Sequence, residues 1–387
     1  MGSSELELGL RLLRAGQAEE AVALLRRASA AASSNVQVLL ALGSAERATG
    51  RVDRAAEAFQ RATGLDPLSG AAWFNLGLAR RDQANAREST LAFARAAELD
   101  PADFDAVQNV VTTLGAAVRR RERPFHPPDL PEGARAKEGV SVIACSIDAS
   151  RLARFEKRMV PHLRDREHEV IVIRDAASLC EGYRRGWERS RQPIVAFCHD
   201  DFAILSDDPF DEVERVLRTA DIVGVAGSTR ASGPAVLWAG HPHIHGWIAH
   251  PAPDRNGLDA AILSLRAGVI GGMQTLDGVF LAMRREVPDR VGFDAATFDG
   301  FHFYDLDFCH RAALSGLRLA VTTNIVALHE SAGRFDAEFE RYAARFRAKF
   351  PDLAAPRGAH HWYEARLDDA AQLLDLCGQL RGLADAR

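Results

Sequence analysis

Apolar positions fall in two textures along the chain. Across residues 5–101 they recur every 34 residues. Leu8-Gly9, Leu42-Gly43 and Leu76-Gly77 hold one place in the repeat, Leu25, Phe59 and Phe93 a second, and Ala28, Ala62 and Ala96 a third. Asp66-Pro67 and Asp100-Pro101 close the last two units. Small residues where paired helices touch, with proline after the second helix, predict a stack of helix pairs. Residues 102–122 predict one more helix, which covers the open face of the last unit. Prolines at 124, 127, 128 and 131 then preclude helix and predict an extended linker over 123–138.

From residue 139 the texture changes. Val140–Ile147, Glu169–Ile173, Ile194–Cys198 and Ile222–Ala226 are short apolar runs, the pattern of strands buried on both faces. Arg151–Leu163, Ser178–Arg191 and Asp211–Thr219 between them carry helical periodicity. This alternation predicts an α/β domain over 139–350, built on a mainly parallel sheet with right-handed crossovers. No Gly-rich loop follows the first strand, so neither a Walker-type nor a dinucleotide-binding loop is supported. In the tail, 351–387, residues from His360 read as a helix with an apolar stripe at Leu367, Leu373, Leu374, Leu380 and Leu383. Such a stripe docks on the domain or on a second subunit, which makes a homodimer an open expectation.

Composition narrows the partners. The 387 residues carry a formal net charge of −5, which argues against nucleic acid. The five cysteines show neither metal nor disulfide spacing and suit a reducing compartment. No signal peptide and no apolar stretch long enough to span a bilayer is present, so the expectation is a cytoplasmic protein.

The candidate chemistry begins at Pro193–Phe202, PIVAFCHDDF, where a buried strand ends in His199, Asp200 and Asp201. Adjacent carboxylates at a strand end repel each other and lose solvation; a bound cation offsets both costs. The plain alternative is a solvated turn. Ligands of open α/β sheets sit at the carboxyl ends of strands. Three later segments join this one: TLDGVFLAM with Asp277, FDGFHFYDLDFC with Asp305 and Asp307, and IVALHESAG with His329. An acidic doublet, a later buried acid and a later histidine are the parts of a metal-assisted displacement of a nucleoside diphosphate. Imidazole favours Mn²⁺ over Mg²⁺ in such a set. His241, His243 and His245 in HPHIHG would share one face of a strand, yet Pro242 and Gly246 point to a loop at the site rim. Trp238 and Trp247 are candidates to stack on a sugar or simply to pack.

The repeats resemble tetratricopeptide (TPR) repeats, with Trp73 where that repeat often carries tryptophan. The segments SLCEGYRRG, IVAFCHDDF, LDGVFLA, GFHFYDLDF and LHESAG, in this order, resemble a bacterial branch of the family 2-like glycosyltransferases of the GT-A fold. That resemblance implies a nucleotide-diphospho-sugar transferase domain behind an all-α TPR solenoid. It implies Asp200 and Asp201 at the metal and diphosphate, with Asp201 and His329 as metal ligands. It implies Asp305 as the base of an inverting reaction, with Asp307 in support and Asp277 bordering the sugar and acceptor pocket. Asp175 takes the place that contacts the nucleotide base, and Ser146, Ser178 and Arg184 are further donor-binding candidates. Related sequences tend to have Tyr-Asn where this chain has Tyr183-Arg184; arginine pairs with a phosphate or points to solvent.

The expectation is therefore a Mn²⁺- or Mg²⁺-dependent hexosyltransferase with a UDP-sugar donor. Because TPR repeats bind polypeptide so often, a protein acceptor leads, and assembly of a surface polysaccharide or glycolipid is the runner-up. A TPR scaffold with an inactive transferase-like domain is the rival of another class; Arg184 feeds it, while Asp200, Asp201, Asp305 and His329 oppose it. A phosphate-free metallohydrolase fits least.

Overall fold

The computed structural model describes residues 2–101, 103–129, 137–233, 239–331, 336–353 and 362–387. The chain divides into two compact units, Met1–His126 with Ala386–Arg387, and Pro127–Asp385. The division falls within the stretch expected to be a linker, of which residues 130–136 lie outside the described residues.

The first unit is all helix: α1 (Gly2–Arg14), α2 (Ala18–Ala31), α3 (Val36–Ala48), α4 (Val52–Leu65), α5 (Gly70–Asp82), α6 (Ala86–Leu99) and α7 (Phe104–Arg119). Asn35, Ser69, Asn85 and Asp103 each cap a helix by accepting from a backbone amide of its first turn. The repeating small residues explain the pairing. A Cβ on Gly9 would lie 2.7 Å from the Leu25 side chain, one on Gly43 2.6 Å from Phe59, and one on Gly77 2.7 Å from Phe93. Each unit thus closes a bulky residue of its second helix against bare backbone of its first. Ala28, Ala62 and Ala96 are buried at the equivalent contacts.

The second unit begins with β1 (Val140–Cys145), α8 (Ala149–Met159), β2 (His168–Ile173), α9 (Leu179–Arg189), β3 (Ile194–His199), β4 (Phe202–Ile204) and α10 (Pro209–Val216). It continues through β5 (Ile222–Gly224), β6 (Ala226–Ser228), β7 (Ile244–Pro251), β8 (Leu258–Ile262), β9 (Val269–Met273), β10 (Thr275–Leu276), β11 (Phe280–Arg284) and α11 (Val287–Val291). It ends with α12 (Tyr304–Leu314), β12 (Leu319–Thr322), β13 (Ala327–His329), α13 (Ala337–Lys349), β14 (Tyr363–Leu367) and α14 (Ala370–Asp385).

The main sheet has the order β2-β1-β3-β11-β5-β12-β9. β1 runs parallel to β2 and β3, and β12 parallel to β5; β11 and β9 run antiparallel to their neighbours. Five of the seven strands therefore run in one direction, so the sheet is mainly parallel as expected, with β11 and β9 reversed. β11 arrives from β10 at the carboxyl end of β3, where the His199 amide donates to the Val279 carbonyl, and so must run back along β3. Side chains alternate across the sheet. Ile194, Ala196 and Cys198 of β3 pack with Leu152, Phe155 and Phe210, whereas Val195 and Phe197 pack with Tyr183, Tyr304 and Phe308. His199 follows the second set. A second sheet, β10-β6-β7-β13-β4, starts where the chain turns out of β3 into β4.

Two expectations change. The tail contains a strand: Tyr363, Ala365 and Leu367 are buried, Glu364 and Arg366 are exposed, and β14 pairs antiparallel with β8. Leu367 thus belongs to a period-2 pattern, and the helix starts only at Ala370. The HPHIHG segment runs into strand β7 rather than forming a loop throughout. Gly246 sits in that strand with φ +124, where a Cβ would overlap the backbone at Val225.

Candidate metal and donor site

The site grows from the end of β3. In the register of β1 against β3, Cys145 lies opposite His199, so the next residues also face each other. Ser146 Oγ accordingly donates to Asp200 Oδ2 at 2.6 Å. Arg151, on the first turn of α8, reaches the other oxygen of Asp200 at 3.5 Å. These side chains line an open cavity of about 300 Å³ together with His199, Asp201 and the exposed Phe301.

β13 brings the late histidine. It pairs antiparallel with β4, His329 opposite Phe202, and the Glu330 amide donates to the Asp201 carbonyl. His329 Nε2 lies 3.3 Å from Asp201 Oδ1 and 3.5 Å from His199 Nδ1. Ligand atoms of His199, Asp201 and His329 all fall within 4.8 Å of one another. Burial opposes ionisation of Asp201, but the hydrogen bond and charge of His329 outweigh it and hold the carboxyl well below its usual range. Burial, then His329, pushes the proton affinity of His199 down. His250 on β7 donates through Nδ1 to the His329 carbonyl at 3.0 Å and so braces the strand end. Glu330 is tied to α8 by ion pairs with Arg158 and Arg154.

The carboxylate pair adjoins this cluster. Phe303, in the left-handed region at φ 67, opens α12 and sets Tyr304 and Asp305 on its first turn. Asp305 Oδ2 accepts from the Gly278 amide at 2.8 Å, and Asp277 Oδ1 from the Val279 amide at 3.0 Å. Burial, with the Asp277 charge added, pushes the Asp305 carboxyl up to about 7. That value suits a general base at neutral pH.

The remaining candidates stand elsewhere. Asp175 is exposed and pairs with Arg185 at 2.8 Å. Ser178 is buried and caps α9 by accepting from the Glu181 amide at 3.1 Å. Arg184 points outward to Glu188 at 2.6 Å. Ala176 and Leu179, not these three, line the cavity from that side. Asp307 is buried against Arg311 and Lys349, which makes it an anchor of α12. His245 is buried beside Ser264, and burial followed by the Arg266 charge lowers its proton affinity to about 4. His241 lies instead against Tyr363, with ring centroids 4.5 Å apart. Trp247 is buried and donates to the Ser264 carbonyl; Trp238 lies outside the described residues.

Two residues near the site had been given no role of their own by the sequence. His199 joined the cluster only through the strand end it occupies, although it stands next to the acidic doublet. Arg151 had a faint signal, a basic residue just after the first strand.

The model of a glycosyltransferase-like family matches residues 141–350, more than half of the chain. The chain belongs to that family. A tetratricopeptide repeat model matches residues 6–67 and 40–104. Among solved structures, the Sgt2 TPR domain from Aspergillus fumigatus is 25% identical, covering 35% of this chain and 91% of its own, with a TM-score of 0.30. The first TPR domain of human RPAP3 is 21% identical, covering 31% and 95%, with a TM-score of 0.30. No curated protein matches the chain. Among the described residues, no helix is long and apolar enough to cross a membrane.

Proposed function

We propose that the chain is a metal-dependent, inverting hexosyltransferase that moves a sugar from a UDP-sugar to an acceptor hydroxyl on a polypeptide, in the cytoplasm. The observation that carries this reading is the convergence of His199, Asp201 and His329 beside the Asp277–Asp305 pair. Two imidazoles and a carboxylate are a donor set for Mn²⁺ rather than Mg²⁺. A dication held there neutralises the leaving diphosphate. Ser146 and Arg151 orient Asp200 at the mouth of the cavity, and Arg151 adds positive charge where the diphosphate binds. Asp305 takes the proton from the acceptor hydroxyl, which attacks the anomeric carbon from the face opposite the diphosphate. The TPR repeats hold the acceptor chain and raise its local concentration.

The test is direct. The protein is incubated with a panel of nucleotide sugars and Mn²⁺, and free nucleoside diphosphate is measured with and without cell lysate. UDP release that rises with lysate, together with a labelled protein product, supports the reading. Transfer to glycans or lipids alone rejects the protein acceptor. A chain lacking residues 1–126 should still hydrolyse donor slowly but lose most transfer to protein.

A further inference from the structure

His199 is held by more than its place on β3. Its Nε2 lies 2.8 Å from the hydroxyl oxygen of Tyr304, and that hydroxyl lies 2.9 Å from the carbonyl oxygen of Gly278. A carbonyl oxygen only accepts, and a phenol has a single proton to give. The Tyr304 proton is therefore committed to Gly278. The Tyr304 hydroxyl also meets that of Tyr183, whose own proton goes to the Cys198 carbonyl; toward His199 the Tyr304 oxygen is therefore the acceptor, and His199 donates through Nε2. In the neutral ring the lone pair is then left on Nδ1. Nδ1 is the atom that faces His329 Nε2 at 3.5 Å, and Asp201 Oδ1 lies 3.3 Å from that same Nε2.

We propose that Tyr304 is a positioning residue: by accepting the Nε2 proton of His199 it turns the Nδ1 lone pair toward Asp201 and His329, preparing a two-histidine, one-carboxylate site for a dication such as Mn²⁺. The proposal rests on the metal-dependent reading above and deepens it.

The surroundings leave Tyr304 little choice. Its ring is buried and packs edge-on against Tyr183, centroids 5.4 Å apart. A Cβ on residue 278 would overlap the Tyr304 hydroxyl, so only glycine lets the carbonyl and hydroxyl meet. The same Gly278 donates its amide to Asp305. One glycine thus fixes the candidate base through its nitrogen and, through Tyr304, a candidate ligand through its oxygen. Outer hydrogen bonds of this kind set the tautomer of ligating imidazoles.

The test uses the metal-free full chain labelled with ¹⁵N. Long-range ¹H–¹⁵N spectra at neutral pH report which nitrogen of each neutral imidazole carries hydrogen; His199→Gln assigns the signal. Wild type should show the Nε2–H tautomer at His199. Tyr304→Phe should give a tautomer mixture, and its Mn²⁺ affinity by calorimetry should fall by roughly 10–100-fold. An Nδ1–H tautomer in wild type overturns the proposal, as does a Phe variant that keeps both tautomer and affinity. If the Phe variant fails to fold, the wild-type spectrum alone decides. A wild type with the Nε2–H tautomer that binds no Mn²⁺ overturns the metal-dependent function instead, which separates the two failures.

Discussion

Asp277 and Asp305 are joined through one peptide unit: the Gly278 amide, directly after Asp277, donates to Asp305 Oδ2 at 2.8 Å. Asp277 spends its own Oδ1 on the Val279 amide. Of the two, Asp305 has its proton affinity set near neutrality, by burial and by the charge of its neighbour. Asp305→Asn should lower turnover by roughly 10²–10⁴ with nucleotide affinity nearly unchanged. In wild type the transfer rate at saturating donor should rise with pH through about 7 as the carboxylate forms. A flat profile over that range removes Asp305 as the base.

The same shift has a consequence for stability. A carboxyl whose affinity is raised by folding favours the folded state while protonated. Its contribution is complete below the unfolded value of about 4 and is lost as pH rises through about 7. Asp305→Asn removes that loss. Its urea midpoint relative to wild type should therefore increase between pH 5 and pH 8. An unchanged difference would show that the carboxyl ionises as freely in the fold as outside it.

Asp201 tests the cation. Chelation should abolish transfer and Mn²⁺ should restore it. Asp201→Asn keeps the size of the side chain but removes its charge. Its Mn²⁺ affinity by calorimetry should drop by more than the roughly 10–100-fold typical of an outer contact. Full activity in excess chelator would sink the metal assignment.

Arg184 gives a contrasting prediction. It forms an exposed i,i+4 pair with Glu188, worth a few tenths of a kcal/mol at most. Arg184→Asn should change donor KM and stability little, the latter by less than about 0.5 kcal/mol. A large rise in donor KM would place this residue at the donor after all.

The repeats offer a matched pair of glycines. Gly77 has the Phe93 ring 2.7 Å from the place of its Cβ, so Gly77→Ala should cost about 1–3 kcal/mol through overpacking. Gly64, within α4, has open space there, so Gly64→Ala should stabilise by about 0.4–1 kcal/mol. Urea unfolding followed by helical circular dichroism compares the two; equal effects would contradict the pairing.

The repeats were legible because their contacts are local and periodic. Gly77 and Phe93 sit on adjacent helices, and the 34-residue period repeats their meeting twice more. The motifs around Asp201, Asp305 and His329 singled them out as candidates, and the structure brings Asp201 and His329 within 3.3 Å of each other. Strand direction was not: the apolar run of β11 looks the same whichever way it lies along β3. Nor was the strand over Tyr363–Leu367, whose short alternation merges into the leucine stripe of the helix after it. Asp175, Ser178 and Arg184 lie on a helix approach whose facing cannot be read without its packing. The part played by His199 depends on Tyr304 and Gly278, remote in sequence and adjacent only once β3, β11 and α12 are assembled.

The glycine hollows that receive Leu25, Phe59 and Phe93 also govern how this chain can change length. Every hollow is filled from within its own unit, at the same offset, so duplication or loss of a whole 34-residue unit conserves all these contacts. Adding one residue inside a helix rotates everything after it by about 100° and drives a side chain into bare backbone. Within its helices the first unit can therefore change length and keep these contacts only in whole repeats, so its extent is quantised in the same steps.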